Sequence, residues 1–382
     1  MTARTDQDLQ IAEIRTFPLR AHLATAQRTA QGDWESLDIV VVEVETTDGF
    51  VGIGEALARR SSPAYAAMIG QVLTPLAIGQ SAHDRRAIWK RMRGALTGRP
   101  GGQIIEAIAA IDIALWDIAG KAAGQPIHRL LGGVGRKQVA AYASSINWLD
   151  DATVEKEVAV AVAAGFRQIK VKLGAPVEQA IARARFVHAL VPSSVRLCAD
   201  ANWAYDVHDA LRVGKVLAEL DYDFFEEPIV PQDREGYAFL ARHLPIRLAA
   251  GESDYVAGEL TAALHDRSLG LVQPDVARSG GITETWRMAE LAAAHNVAYA
   301  PHVGWSGAIC AAASLHLAAA AESFRTYECM VFDNPLRQRL GQPLVGDIGV
   351  LEEGMLNVPQ GPGLGIALDR DVLRELAAPV LS

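Results

Sequence analysis

The chain has 382 residues, half of them hydrophobic and 21% charged, enough for a large core and for one large domain plus a smaller one. Its 36 basic and 45 acidic residues leave a net charge of −9, which argues against nucleic acid and anionic membranes as general partners. Cys198, Cys310 and Cys329 are few, odd in number and without metal-site spacing, so they read as small buried hydrophobes in a reducing cytoplasm.

In chain order, Met1 to Gln10 is polar and lacks the apolar stretch of a signal peptide. Asp38 to Thr46 is β-branched, a turn follows at Asp48-Gly49, and Phe50 to Gly54 completes a hairpin pattern. Apolar residues then recur at three- and four-residue intervals from Ile104 to Ala122, which predicts a helix stopped by Gly124. A hairpin followed by helices reads as an α+β domain. Gly132, Gly133 and Gly135 precede the next strand rather than follow one, so they read as an interdomain turn and not a phosphate loop.

Beyond this point short apolar strands alternate with amphipathic helices. Strands are predicted at Val139–Ala143, Gln168–Leu173, Arg196–Asp200, Asp223–Glu226, Arg247–Glu252, Gly270–Asp275, Ala298–His302 and Arg325–Glu328, with helices such as Pro176–Leu190, Val207–Leu220 and Thr283–His295 between them. Eight strands with seven crossings predict a parallel β/α barrel, and a doubly wound sheet lacks its early glycine-rich turn. The richest apolar stretch, Ala308 to Ala321, is interrupted by Ser314 and His316 and is too short to span a bilayer. A soluble cytoplasmic protein is expected. From about Leu356 the tail is expected to return to the first domain.

The strand ends carry the chemistry. Asp200, Glu226 and Glu252 are 26 and 26 residues apart, about the length of one β/α unit, so they should occupy equivalent positions on consecutive strands. Three converging carboxylates repel one another in a low-dielectric mouth, and a hard divalent cation such as Mg²⁺ resolves the conflict. Glu227 neighbours Glu226 on the strand and should face the other way, as a structural salt-bridge partner. Lys170 and Lys172 share one face of the preceding strand, and their mutual repulsion should lower one pKa toward that of a general base. Asp275 and His302 end the sixth and seventh strands as an Asp–His dyad, with Glu328 ending the eighth. A base on each side of a divalent cation suits abstraction of the proton α to a carboxylate.

These motifs (Lys170-Val171-Lys172, Asp200-Ala201-Asn202, Glu226-Glu227-Pro228, Gly251-Glu252, Gln273-Pro274-Asp275 and His302) make the chain resemble the mandelate racemase subgroup of the enolase superfamily over essentially its whole length. The resemblance implies an α/β fold, a (β/α)₇β modified TIM barrel with an N-terminal α+β capping domain completed by the C-terminal tail. The expected boundaries are 1–132 for the cap, 133–355 for the barrel and 356–382 for the returning tail. It implies Mg²⁺ on Asp200, Glu226 and Glu252, with Lys172 and the His302–Asp275 dyad as the two acid/base groups. Lys170 would stabilise the enolate, Glu328 would hydrogen-bond the substrate carboxylate, and Asn202 would contact the substrate near its α-hydroxyl. Specificity is expected from the cap, with His22, Arg28 and the Arg59-Arg60 loop as candidate contacts. The expected reaction is dehydration of an aldonate or aldarate to a 2-keto-3-deoxy acid. Racemisation, epimerisation and cycloisomerisation of a sugar lactone share the first step, and a homo-oligomer is expected. A catalytically dead binding barrel is disfavoured because no expected base or ligand is missing.

Overall fold

The computed structural model describes residues 8–96, 101–146, 149–174 and 176–378; most of the polar N-terminal stretch, residues 1–7, lies outside them. The first sheet has three antiparallel strands in the order β1 (Ile11–Thr29), β2 (Gly32–Thr46) and β3 (Val51–Leu57). The β2–β3 hairpin and its Asp48-Gly49 turn are as predicted, with Gly49 at φ +80°. The long β1 was not predicted. It mixes buried and exposed residues without a strict alternation, and a register shift between His22 and Gln27 breaks its period.

The predicted helix runs from Gln103 to Ala123 and ends at Gly124 in the left-handed conformation, φ +63°. It packs against β3 so closely that a Cβ on Gly54 would lie 1.7 Å from the carbonyl oxygen of Ala110, and one on Gly52 2.1 Å from that of Ala114. Glycine at both positions is what lets backbone meet backbone here.

All eight predicted barrel strands form: β4 (Gln138–Ile146), β5 (Gln168–Lys172), β6 (Arg196–Asp200), β7 (Phe224–Glu226), β8 (Arg247–Ala250), β9 (Leu271–Val272), β10 (Ala298–Tyr299) and β11 (Tyr327–Met330). They pair in parallel from β4 to β10, with β11 beside β4. A parallel bridge from Tyr299 to Phe324, with Arg325 N–H donating to the Tyr299 carbonyl at 2.8 Å, joins β10 to the lead-in of β11 and closes the barrel. Seven helices lie between the strands, giving (β/α)₇β.

Tyr142, Cys198, Phe224, Ala249 and Leu271, one residue from each of five strands, form with Ala300 just past β10 a separate buried cluster, which is the barrel interior. Side chains alternate along a strand, so the residues two further on also face inward. From Tyr142, Cys198, Phe224 and Ala300 these are Ser144, Asp200, Glu226 and His302. At the opposite end Asp223 accepts hydrogen bonds from Gln168, Arg247 and Arg325, tying three strands together across the barrel floor.

After β11 the strand Met355–Asn357 first pairs antiparallel with β4. The tail then reaches the first sheet, where Leu376 accepts from Arg20 N–H at 2.9 Å and Ala378 N–H donates to the Pro18 carbonyl at 2.8 Å. Along the way Leu364 N–H donates to Asp117 of the Gln103–Ala123 helix at 2.9 Å. Its carbonyl lies 3.1 Å from His316 Nε2, and His316 Nδ1 lies 3.1 Å from His128 Nδ1. Among the described residues no helix is long and apolar enough to cross a membrane.

Candidate active site

Strand register places the polar residues side by side: Lys172 opposite Asp200, and Asp200 opposite Glu226. Glu252 follows Gly251, whose φ of +134° and the 2.8 Å between an added Cβ and Gln273 N require glycine there. Asp275 and His302 pair through a parallel bridge just past β9 and β10. Lys170, Lys172, Asp200, Glu226, Glu252, Asp275, His302 and Glu328 are all buried, and the structure brings them together at one end of the barrel.

Lys170 Nζ lies 2.8 Å from both oxygens of Glu226 and 2.9 Å from Glu328 Oε1. Lys172 Nζ donates to Asp200 Oδ2 and, at 3.1 Å, to Asn202 Oδ1. The expectation that the paired lysines would depress a pKa is not met. Burial does push both pKa values down, but the carboxylates of Glu226 and Glu328 hold Lys170 well above its usual range, and Asp200 raises Lys172.

The dyad is well defined. His302 Nδ1 lies 2.6 Å from Asp275 Oδ2, while Asp275 Oδ1 accepts from Ala277 N–H at 2.7 Å. Asp275 therefore fixes the proton on Nδ1 and turns Nε2 toward Glu252 Oε2, 3.0 Å away. Burial opposes protonation of His302, but Glu252, Glu328 and Asp275 outweigh it and raise its pKa well above the usual value. Glu252 also meets Arg278 Nη1 at 3.1 Å; burial would raise its pKa, yet His302 and Arg278 hold it well below the usual range.

Glu328 accepts from Ser144 Oγ at 2.6 Å and from Val303 N–H at 2.8 Å. Burial is outweighed by Lys170 and His302, which keep Glu328 ionised. Burial pushes Glu226 up to about 7 in spite of Lys170. Gln273 Nε2 donates to Glu226 at 2.7 Å.

Glu227 corrects another expectation. It is fully buried, and neither carboxylate oxygen has a hydrogen-bond partner. Alternation of faces fails here because β7 ends at Glu226 and Glu227 adopts φ +40°. No salt bridge forms; burial, then Glu252, Asp200 and Glu226, push its pKa well above the usual carboxylate range.

Among the described residues no three His, Cys, Asp or Glu side chains stand arranged as a metal cage, because Asp200, Glu226 and Glu252 are each held by a cation of the chain itself. The donor set nonetheless fits a divalent cation. Six buried carboxylates (Asp200, Glu226, Glu227, Glu252, Asp275 and Glu328) face three permanent cations (Lys170, Lys172 and Arg278) and one histidine. The carboxylates outnumber the cations, burial pushes Glu226 and Glu227 toward the protonated form, and Glu227 lacks any donor, so a divalent cation would favour ionisation of the whole set.

Above these groups is a cleft lined by Lys172, Asn202, Glu252, His302 and Trp305 from the barrel, and by Thr29, Gln31, Trp34, Ser36, Leu37, Asp38, Leu57 and Arg59 from the first sheet and its flanking loops. Asn202, at φ +43°, is held by its N–H and Nδ2 donating to Asp200 at 2.9 and 3.2 Å. His22 and Arg28 do not line the cleft. His22 is exposed opposite Ser36, and Arg28 is exposed and paired with Asp33 at 3.1 Å. Sequence reasoning also missed Ser144, Gln273 and Arg278. Gln273 had a signal, its place two residues before Asp275; Arg278 lies in a loop with no period to betray it.

The mandelate racemase / muconate lactonizing enzyme N-terminal domain matches residues 11–132, and the enolase C-terminal domain-like family matches residues 153–372. The chain is 35% identical to the D-galactarolactone cycloisomerase of Agrobacterium fabrum, covering 97% of this chain and 100% of that protein. It is 34% identical to the arabinonate dehydratase of Saccharolobus solfataricus, covering 96% and 98%. The crystal structure of a racemase from Streptomyces coelicolor A3(2) with bound magnesium superimposes with a TM-score of 0.88 at 29% identity, covering 96% of this chain and 100% of that one. With both domains matched and full-length relatives above 30% identity, the chain is an enzyme that belongs to the mandelate racemase / muconate lactonizing enzyme family of the enolase superfamily.

Proposed function

We propose that this enzyme removes the α-proton of an acid-sugar carboxylate and expels the β-hydroxyl, giving a 2-keto-3-deoxy acid. The observation that carries the reading is that Lys172 and His302, on opposite strands of the barrel, both line one cleft closed by the cap. Asp200, Glu226 and Glu252 would hold Mg²⁺. When bound, Mg²⁺ would offset the negative charge that develops on the substrate carboxylate.

With Asp200 and Glu226 committed to a cation, Lys172 would lose the carboxylate that raises its pKa, while Lys170 would turn its charge to the substrate carboxylate. Lys172 then sheds its proton more readily and accepts the one from the α-carbon. The C–H electron pair passes into the substrate carboxylate as an enolate and then forms the Cα–Cβ double bond as the β C–O bond breaks. His302 Nε2 gives its proton to the departing hydroxyl, while Asp275 steadies the ring from Nδ1. The enol product tautomerises to the 2-keto acid. Lys170 remains as a fixed positive charge for the carboxylate. Glu328 would hydrogen-bond the substrate carboxylate, which requires it to take up a proton as Lys170 turns to the substrate. Asn202, anchored on Asp200, would contact the substrate near its α-hydroxyl.

The 35% identity to a galactarolactone cycloisomerase supports a second reading, in which the same proton leaves but a ring oxygen is expelled. One experiment separates the two. The enzyme with Mg²⁺ is offered a stereochemically complete set of aldonates, aldarates and their lactones, and products are read by mass. Loss of one water from an open-chain acid supports dehydration; a ring-opened isomer of a lactone supports cycloisomerisation; α-proton exchange in D₂O with no net change supports epimerisation. No exchange on any member sinks the enzymatic reading as stated.

A further inference from the structure

Glu227 is a carboxylate at the barrel mouth that the proposed chemistry leaves without work. It is completely buried, both its oxygens lack donors, and the charges that bear on it are Glu252, Asp200 and Glu226, with Arg278 the nearest counterweight. Arg278 is already committed to Glu252 at 3.1 Å and Glu106 at 3.3 Å. The backbone of Glu227 is fixed on both sides, its N–H donating to Ala249 and its carbonyl accepting from Trp203 N–H, each at 2.9 Å. Its φ of +40° is a conformation that a residue other than glycine holds only when its surroundings impose it.

A buried carboxylate with no donor costs several kcal/mol unless something supplies one. Protein groups do not. A six-coordinate Mg²⁺ held by three carboxylates keeps waters, and each such water carries two acidic O–H donors. We propose that Glu227 is a fourth carboxylate of the cation site, a positioning residue that accepts a hydrogen bond from a cation-bound water instead of ligating the metal itself. The inference rests on the cation site of the proposed function. It assigns Glu227 two effects once a cation at the site draws it into the ionised form: it adds negative charge beside the site, which tightens cation binding, and it orients the water that a substrate oxygen must displace.

The test is titration calorimetry of Mg²⁺ into the full-length, EDTA-stripped protein, with thermal melts in EDTA and in saturating Mg²⁺. Glu227→Gln should bind Mg²⁺ about 10–100-fold more weakly and melt no lower than wild type in EDTA, while gaining less on Mg²⁺ addition. Glu227→Asp, which keeps the charge, should recover part of the affinity. Unchanged affinity in Glu227→Gln overturns the proposal, as does a melt well below wild type in EDTA, which would make the carboxylate a prop of the apo fold. Wild-type protein that binds no Mg²⁺ sinks the cation reading itself, a result distinct from either.

Discussion

His302 Nδ1 sits 2.6 Å from Asp275 Oδ2, and the same carboxylate is pinned through its other oxygen by the amide of Ala277. The imidazole is therefore held at a fixed angle with its proton on the Asp275 side. Replacing Asp275 by Asn presents an amide whose orientation can invert the tautomer. Turnover of Asp275→Asn is expected to fall by about two orders of magnitude or more. Solvent exchange of the α-proton on the Lys172 side should survive, and deuterium incorporation followed by NMR checks it. His302→Asn should show the same split.

Lys172→Ala removes the other proposed base. It should lower turnover by about 10²–10⁴-fold and also free Asp200 of its ammonium partner. Mg²⁺ affinity is then expected to hold or rise. Calorimetry showing lost metal binding in this variant would contradict the separation of base and cation sites.

Asp112, on the helix under the first sheet, contributes a pH dependence of stability away from the active site. Burial raises its pKa to about 7, with Thr283 N–H donating at 2.8 Å and Oδ1 unpartnered. The folded protein thus binds a proton that the unfolded chain, with the ordinary value of 3.8, has released. Stability from this group is complete below about pH 4 and declines as pH rises toward 7, by on the order of a few kcal/mol. Melts of Asp112→Asn between pH 4 and 7 should decline less than those of wild type.

His316 acts with the opposite sign. Burial lowers its pKa to about 3 from an ordinary 6.5, and Nε2 must carry the proton it shares with the Leu364 carbonyl. Its stabilising effect is complete above about pH 6.5 and is lost as pH falls toward 3. The two dependences partly cancel between pH 4 and 6.5 in the wild type. Relative to wild type, the Asp112→Asn profile should therefore tilt toward greater stability at higher pH across that window. A His316→Gln protein that loses as much stability as wild type when pH falls from 6.5 to 4 would remove His316 as a titrating group.

The convergence of polar residues at one end of the barrel was legible because they recur at the length of a β/α unit, which places each at the same end of its strand. Asp200, Glu226, Glu252, Asp275, His302 and Glu328 all carry that signal. Their partnerships were not legible. Ser144 and Arg278 come from a strand and a loop with no shared period, and Glu227 escapes the alternation rule because its strand stops one residue earlier. On the cap, the register shift between His22 and Gln27 rotates the strand face. The stretch around His22 to Trp34 does supply cleft residues, Thr29, Gln31 and Trp34, while His22 and Arg28 themselves turn to solvent. A bulge of this kind leaves no mark in hydrophobic periodicity.

The attachment of the C-terminal tail to β1 has a mechanical consequence. Pro18 and Arg20 are bonded to the tail, whereas the hairpin tip at Ala30 rests on Gly174, where an added Cβ would come within 2.6 Å of the Ala30 Cβ. One strand is thus clamped near its middle and merely seated at its far end, two residues past Lys172. The irregular stretch from His22 to Gln27 lies between clamp and seat. Any displacement of the hairpin tip, held there also by Trp34 against Trp305, would be taken up by bending at that stretch, with the clamped part of the sheet staying put.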